Sequence, residues 1–169
     1  MVEFNFLNIF LFAMFSLNLV VLSFYDLKYK AVPDYLLLLS LVLSFLVTKY
    51  DFYYALENAI ICVGAIVLLN FIVTFYIQNI KSRIFKDDRF KTQTALGEGD
   101  MPIIASFGAI LGLELTIFTV FLSALIAIIH WVYIRFVQKE HEIPFIPSLC
   151  IGFFLEFVFN LSTFFKDFY

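Results

Sequence analysis

Hydrophobic residues in this chain come in six long runs separated by shorter polar stretches: Phe4–Tyr25, Pro33–Val47, Ala55–Ile80, Ala95–Leu115, Thr116–Val137 and Phe145–Phe165. A membrane-crossing helix needs about 20 mostly apolar residues, so each run is a candidate span, the second a short one. The fourth is interrupted near its start by Gly97-Glu98-Gly99-Asp100. The pattern predicts an all-α, polytopic membrane protein of about six transmembrane helices, with a glycine-broken fourth helix. No internal repeat or low-complexity linker divides the chain. Residues 1–169 are therefore expected to form a single membrane-embedded domain, whose one sizeable hydrophilic segment is a loop at about 81–95.

Composition strengthens this reading. Hydrophobic residues make up 63% of the 169 and aromatic residues 20%, against roughly 45–50% apolar content in soluble domains. A soluble fold has nowhere to bury so much apolar surface, and the lipid bilayer is the expected surrounding. The N-terminus lacks a basic segment and a small-residue cleavage site, so the first run is expected to be a retained span. Cys62 and Cys150 lie inside apolar runs and form no Cys-x-x-Cys pair. They read as small buried hydrophobes, and neither a disulfide framework nor a zinc site is expected.

The net charge of −3 matters less than where the charges lie. Nine of the eleven Lys and Arg residues fall in alternate connections: Lys28 and Lys30, the five bases of the 81–95 loop, then Arg135 and Lys139. Lys49 and Lys166 fall on the other side. The positive-inside rule places the nine in the cytoplasm and both termini outside. Basic residues of the loop suit a solvated segment that sets topology, or anionic lipid heads. No aromatic-interleaved basic patch suggests nucleic acid as a partner.

This topology has a geometric consequence. The first span runs inward and ends at Tyr25-Asp26; the fourth runs outward and begins near Asp100. Both acids are thus expected at the cytoplasmic ends of their helices, at similar depth. Gly97 and Gly99 lack a β-carbon, which lets the backbone bend and lets another chain approach closely. Pro102 suits a first helical turn. If the two carboxylates meet, they share a proton, because two close like charges do not both ionise cheaply. Such a pair can hold a water between a base and an acid and hydrolyse a peptide bond. The residues alone leave two alternatives open: helix ends beside Lys28 and Lys30, or acids that relay protons in a transporter.

Asp26-Leu27-Lys28-Tyr29-Lys30-Ala31-Val32-Pro33-Asp34 resembles the first motif of type IV prepilin peptidases, an Asp followed closely by Ile-Pro-Asn. Gly97-Glu98-Gly99-Asp100 matches their GxGD motif, and Ile143-Pro144-Phe145-Ile146-Pro147 is similar to their late Pro-Phe-Gly-Pro signature. The three occur in family order across essentially the whole chain. The resemblance implies an intramembrane aspartyl endopeptidase that removes the basic leader of prepilin-like proteins at the cytoplasmic face of the inner membrane. It makes Asp26 and Asp100 the catalytic pair, without metal or other cofactor, with Gly97 and Gly99 shaping the approach of the substrate strand. Larger members carry an N-terminal zinc-binding segment associated with N-methylation. This sequence shows none, so peptidase activity alone is expected. Pro102 stands where many members have Lys, and Ile146 replaces a Gly. Tyr25-Asp26 with GxGD also echoes presenilin-type proteases, whose Pro-Ala-Leu motif is missing. The competing class is a proton-coupled transporter, or an assembly subunit of a secretion or pilus machine, using the same acids.

Other polar residues carry secondary expectations. Glu98 and Asp34, nearest the pair, are candidates to receive a basic leader. Glu156 lies mid-run and needs a polar partner, for which His130 is a candidate. Asn18 and Asn70 are expected to hold helices together. His130 and His141 with Glu140 and Glu142 do not form a metal-binding pattern. The sequence leaves the oligomeric state and the identity of the precursor open.

Overall fold

The computed structural model describes residues 6–81, 97, 99–137 and 144–166. Helix α1 covers Phe6–Tyr29, α2 Asp34–Val47, and α3 Phe52–Phe75, prolonged by a wider π-helical turn at Tyr76–Lys81. Helix α4 covers Asp100–Leu111, α5 Leu113–Val137, α6 Ile146–Phe159, and the short α7 Leu161–Lys166. Among the described residues there is no strand. Most of the 81–95 loop lies outside the described residues, as do Glu98, Glu140, His141 and Glu142.

All six apolar runs form helices, but of two kinds. Among the described residues, three helices are long and apolar enough to cross a membrane: Phe6–Tyr29, Phe52–Asn79 and Leu113–Val132. Asp34–Val47, Asp100–Leu111 and Ile146–Phe159 have 14, 12 and 14 residues. At about 1.5 Å per residue they reach only about 18–21 Å, short of a hydrocarbon core of about 30 Å. Local backbone explains the shortening. Gly112 adopts φ +83° and ends α4 four residues before the sequence pattern places the boundary. Asn160 adopts φ 46°, ends α6, and turns the last apolar stretch into the separate α7. Pro33 starts α2 in the extended conformation that proline favours.

Helix α4 is the centre of the bundle. Ten of its twelve residues are buried, because α2, α3, α5 and α6 all pack against it. Small side chains make this possible. Ala105 and Ala109 of α4 interlock with Ala55 and Ala59 of α3, the spacing by which membrane helices approach closely. A β-carbon added at Gly108 would lie 3.0 Å from the Asn58 carbonyl oxygen and 3.1 Å from Ala59 Cα. The C-terminal end of α4 is tied to the α2–α3 connection: Thr48 Oγ1 donates to the Ala109 carbonyl at 2.6 Å, and Tyr50 OH to that of Leu111 at 3.2 Å. These bonds serve carbonyls that a helix C-terminus leaves unpaired. On the other side, Phe153 of α6 stacks on Phe107 of α4 (centroids 4.6 Å) and meets the edge of Phe15 of α1.

Several polar side chains inside the bundle are hydrogen-bonded. Asn18 Nδ2 donates to the Leu36 carbonyl and joins α1 to α2. Asn70 accepts a hydrogen bond from Thr74 of its own helix. Glu156 is not served by His130. Its carboxylate accepts the Ser162 N–H at 3.1 Å and the Ser162 hydroxyl at 2.5 Å, bridging the break at Asn160. The reason is register: Gly152 packs against Thr119 and Ser123, so α5 and α6 run antiparallel and Glu156 lies toward the opposite end of α5 from His130.

Candidate active site

Asp26 lies one turn before the end of α1. The helix closes with Lys30 in the left-handed region (φ 52°), its N–H donating to the Asp26 carbonyl at 3.0 Å. The Asp26 side chain, 9% exposed, points toward the start of α6, where the Ile146 N–H donates to Oδ2 at 3.1 Å. Ile146 is the first residue of that helix, so its N–H has no partner within α6 and is free to serve a carboxylate. Pro147 follows and brings no donor of its own. The sequence suggests a Pro-Phe-Ile-Pro motif of significance; the structure supplies a physical reason, an anchored helix start aimed at Asp26.

Asp100 is the first residue of α4 and 6% exposed. Its N–H donates to the Gly97 carbonyl at 3.3 Å. Asp26 and Asp100 line one cavity and lie near enough for the charge of one to act on the other. Asp34, exposed in the first turn of α2, and Gly97 and Gly99 line the same cavity. Glu98 lies outside the described residues. Five of the six site residues expected from sequence are thus brought around one space.

Gly99 does not serve the bend that the sequence suggests. Gly99 has ordinary right-handed helical angles, φ −68° and ψ −21°. A β-carbon there would meet Leu37 Cδ1 at 3.7 Å and Ile146 Cδ1 at 4.0 Å; one at Gly97 would meet Asp100 Oδ2 at 3.5 Å. These are ordinary contacts, so neither backbone angle nor internal clearance demands glycine at Gly99. What its missing side chain leaves is room in the cavity beside Asp100.

The cavity holds about 1550 Å³ and has mainly apolar walls. Beyond the acids, its lining includes Lys30, the Pro144–Ile146 segment and a long face of α5 ending at Trp131. Sequence reasoning missed the Ile146 N–H, because a backbone donor carries no side-chain signature. It also missed the α5 face, whose alanines look like unremarkable span residues. Among the described residues, no three His, Cys, Asp or Glu side chains cluster as a metal site requires.

Residues 11–132 match the model of the type IV leader peptidase family. The chain belongs to that family. It is 32% identical over 148 residues to a prepilin leader peptidase/N-methyltransferase of Legionella pneumophila, covering 84% of this chain and 47% of that protein. To a prepilin leader peptidase/N-methyltransferase of Vibrio cholerae serotype O1 it is 25% identical over 149 residues, covering 86% of this chain and 55% of the relative. The chain spans about half the length of the curated relatives it matches. No solved structure matches it. In this leader peptidase family member the matched region includes Asp26, Asp100 and the cavity face of α5. The Pro144–Pro147 segment that anchors Asp26 lies beyond the matched residues.

Proposed function

We propose that this chain is an aspartyl endopeptidase that removes the basic leader of type IV prepilin-like precursors at the cytoplasmic face of the inner membrane. The observation that carries the reading is the juxtaposition of two buried carboxylates, Asp26 and Asp100, in one cavity at the inner ends of α1 and α4. Family membership adds the substrate class. The inward orientation follows from the nine Lys and Arg residues on that side. The whole chain, residues 1–169, acts as one peptidase domain.

In this mechanism the pair shares one proton and holds a water between its oxygens. One carboxylate takes a proton from the water as its oxygen attacks the scissile carbonyl. The other protonates the carbonyl oxygen, and the tetrahedral carbon then releases the amine, which leaves with a proton from the pair. The Ile146 N–H keeps the Asp26 carboxylate from turning away from that water. Asp34 and Glu98 receive the basic leader, and Gly97 and Gly99 leave space for an extended strand. Leader cleavage alone is assigned, because hydrolysis is what two carboxylates and a water supply.

Co-expression with a prepilin-like precursor tests this, following leader removal by mass. The wild-type chain is expected to shorten the precursor. Asp26→Asn and Asp100→Asn, at normal membrane levels, are each expected to slow cleavage by at least about a hundredfold, the lower range for losing an acid–base group. Cleavage surviving either change would overturn the assignment, and proton-linked flux without a shortened product would favour a transporter.

A further inference from the structure

The helices around the two carboxylates do not end at one level. Cys62 of α3 lies against Gly108 of α4 and close to Thr116 of α5. Helices α3 and α5 both start at the end where Thr48 and Tyr50 hold α4, so they run together and α4 runs against them. Asp100 precedes Gly108 by eight residues, about 12 Å of helix. Its level is therefore reached near residue 70 on α3 and near residue 124 on α5. Helix α1 ends just past Asp26 at Tyr29, and α2 begins at Asp34. By contrast α3, with its π turn, continues to Lys81 and α5 to Val137, each about 15–20 Å further inward. The carboxylates thus lie at a step, with α3 and α5 as walls on either side.

The cavity opens at that step and runs from it between α3 and α5 toward the Thr48 end of α4. Thr116, Val120, Ala124, Ala127 and Trp131 of α5 line it, at spacings of three and four residues that place them on one helical face. Ala65, Ile66 and Leu69 of α3 face them across the space.

We propose that this groove between α3 and α5 is the docking surface for the apolar transmembrane helix of the precursor itself. The proposal rests on the leader-peptidase reading and assigns the surface that holds the uncleaved part of the substrate. Three observations favour this occupant. The volume of about 1550 Å³ exceeds the roughly 300–1,000 Å³ of small-molecule sites. Ala65, Ala124 and Ala127 give the walls small side chains, which let a second helix bring its backbone close. The charged residues of the lining, Asp26, Lys30, Asp34 and Asp100, gather at the end of α1 and the starts of α2 and α4, while the wall toward the Thr48 end is apolar, so the groove changes from apolar to charged along its course. A membrane-inserted chain has the same order, an apolar helix followed by a polar, basic segment. A lipid tail has no group for the carboxylates and no need of the alanine notches. Carbonyls within a helix are already hydrogen-bonded, so the bond to be cut must lie where the precursor leaves helical form. The uncrowded positions of Gly97 and Gly99 sit at that place.

Photocrosslinking in native membranes tests the groove. Benzoylphenylalanine is placed in the chain at Leu69 or Ile128, which line the cavity. The comparison positions are Leu68 and Ile129, their exposed neighbours, which do not line it. An Asp26→Asn background holds a prepilin-like precursor uncleaved. Precursor adducts are expected from Leu69 and Ile128 and lost at Leu68 and Ile129. Filling the groove with Ala124→Phe, or more gently Ala127→Leu, is expected to reduce those adducts. In chains with both aspartates it is expected to raise KM for the membrane-inserted precursor about tenfold, equivalent to about 1.4 kcal/mol of binding. Equal adducts on both faces, or lipid adducts alone in the groove, would overturn the docking surface whether or not the wild-type chain removes the leader. Groove adducts in membranes where the wild-type chain leaves the precursor whole would overturn the peptidase reading instead.

Discussion

Asp26 is oriented by the one part of Ile146 that its side chain does not identify. The hydrogen bond from the Ile146 N–H to Oδ2, at 3.1 Å, joins residues 120 positions apart in sequence. A proline at the first position of a helix keeps the helix but lacks that donor. Ile146→Pro is therefore expected to leave the chain in the membrane while cutting leader removal by about a hundredfold, the order expected when a reacting group is misplaced by about an ångström. Ile146→Val, which keeps the N–H, is expected to stay near wild type. Equal cleavage by the two variants, measured by precursor mass, would show that the bond does not position Asp26. The acids around the pair make a second test. Neutralising Glu98 and Asp34 together, by Glu98→Gln and Asp34→Asn, is expected to slow cleavage of a basic leader more than a neutral one; equal slowing of both would remove them from leader recognition. At this scale the sequence was a partial guide. The positions of Asp26 and Asp100 could be reasoned from loop charges and motif order, since both signals reside in side chains. The Ile146 donor could not, and the glycines suggested a bend where the backbone of Gly99 is ordinary helix.

Helix α4 shows what happens when a buried element is built from small residues. Its contact with α3 depends on Gly108, where a β-carbon would press on the Asn58 carbonyl and on Ala59 Cα at 3.0 and 3.1 Å. Both neighbours are backbone and cannot swing aside. Gly108→Ala is expected to destabilise the chain by about 1–3 kcal/mol, as overpacking of a close-packed interior does. Thermal unfolding in detergent reads this as a lower midpoint, whereas Gly64→Ala, with open space around its α-carbon, serves as the comparison. An unchanged midpoint for Gly108→Ala would show that the interface is looser than its geometry implies. The described helices were legible as apolar runs, the sixth of which holds both α6 and α7, because hydropathy alone marks them. Their lengths were not. The ends at Gly112 and Asn160 are set by positive φ angles, and hydropathy continues through both residues without interruption. The partner of Glu156 was missed for the same reason, since only the break at Asn160 turns the chain back to bring Ser162 to it.

Among the described residues, three helices long enough to cross a membrane pack with three that are shorter. That inequality places the carboxylates at a step between α1 and α2 on one side and the longer α3 and α5 on the other. The lopsided distribution of Lys and Arg lent the sequence a sense of direction, but no one-dimensional pattern reports that the helix ends around Asp26 and Asp100 are unequal. The proposed leader cleavage by Asp26 and Asp100, in a chain about half the length of the relatives it matches, can be tested without other components. The most direct measurement is leader removal by the purified chain, reconstituted in liposomes with a prepilin-like precursor and followed by mass. A shortened precursor and a released leader are expected with the wild-type chain, and an intact precursor with Asp26→Asn or Asp100→Asn. An intact precursor with the wild-type chain, or a shortened one with either variant, would contradict the proposed cleavage.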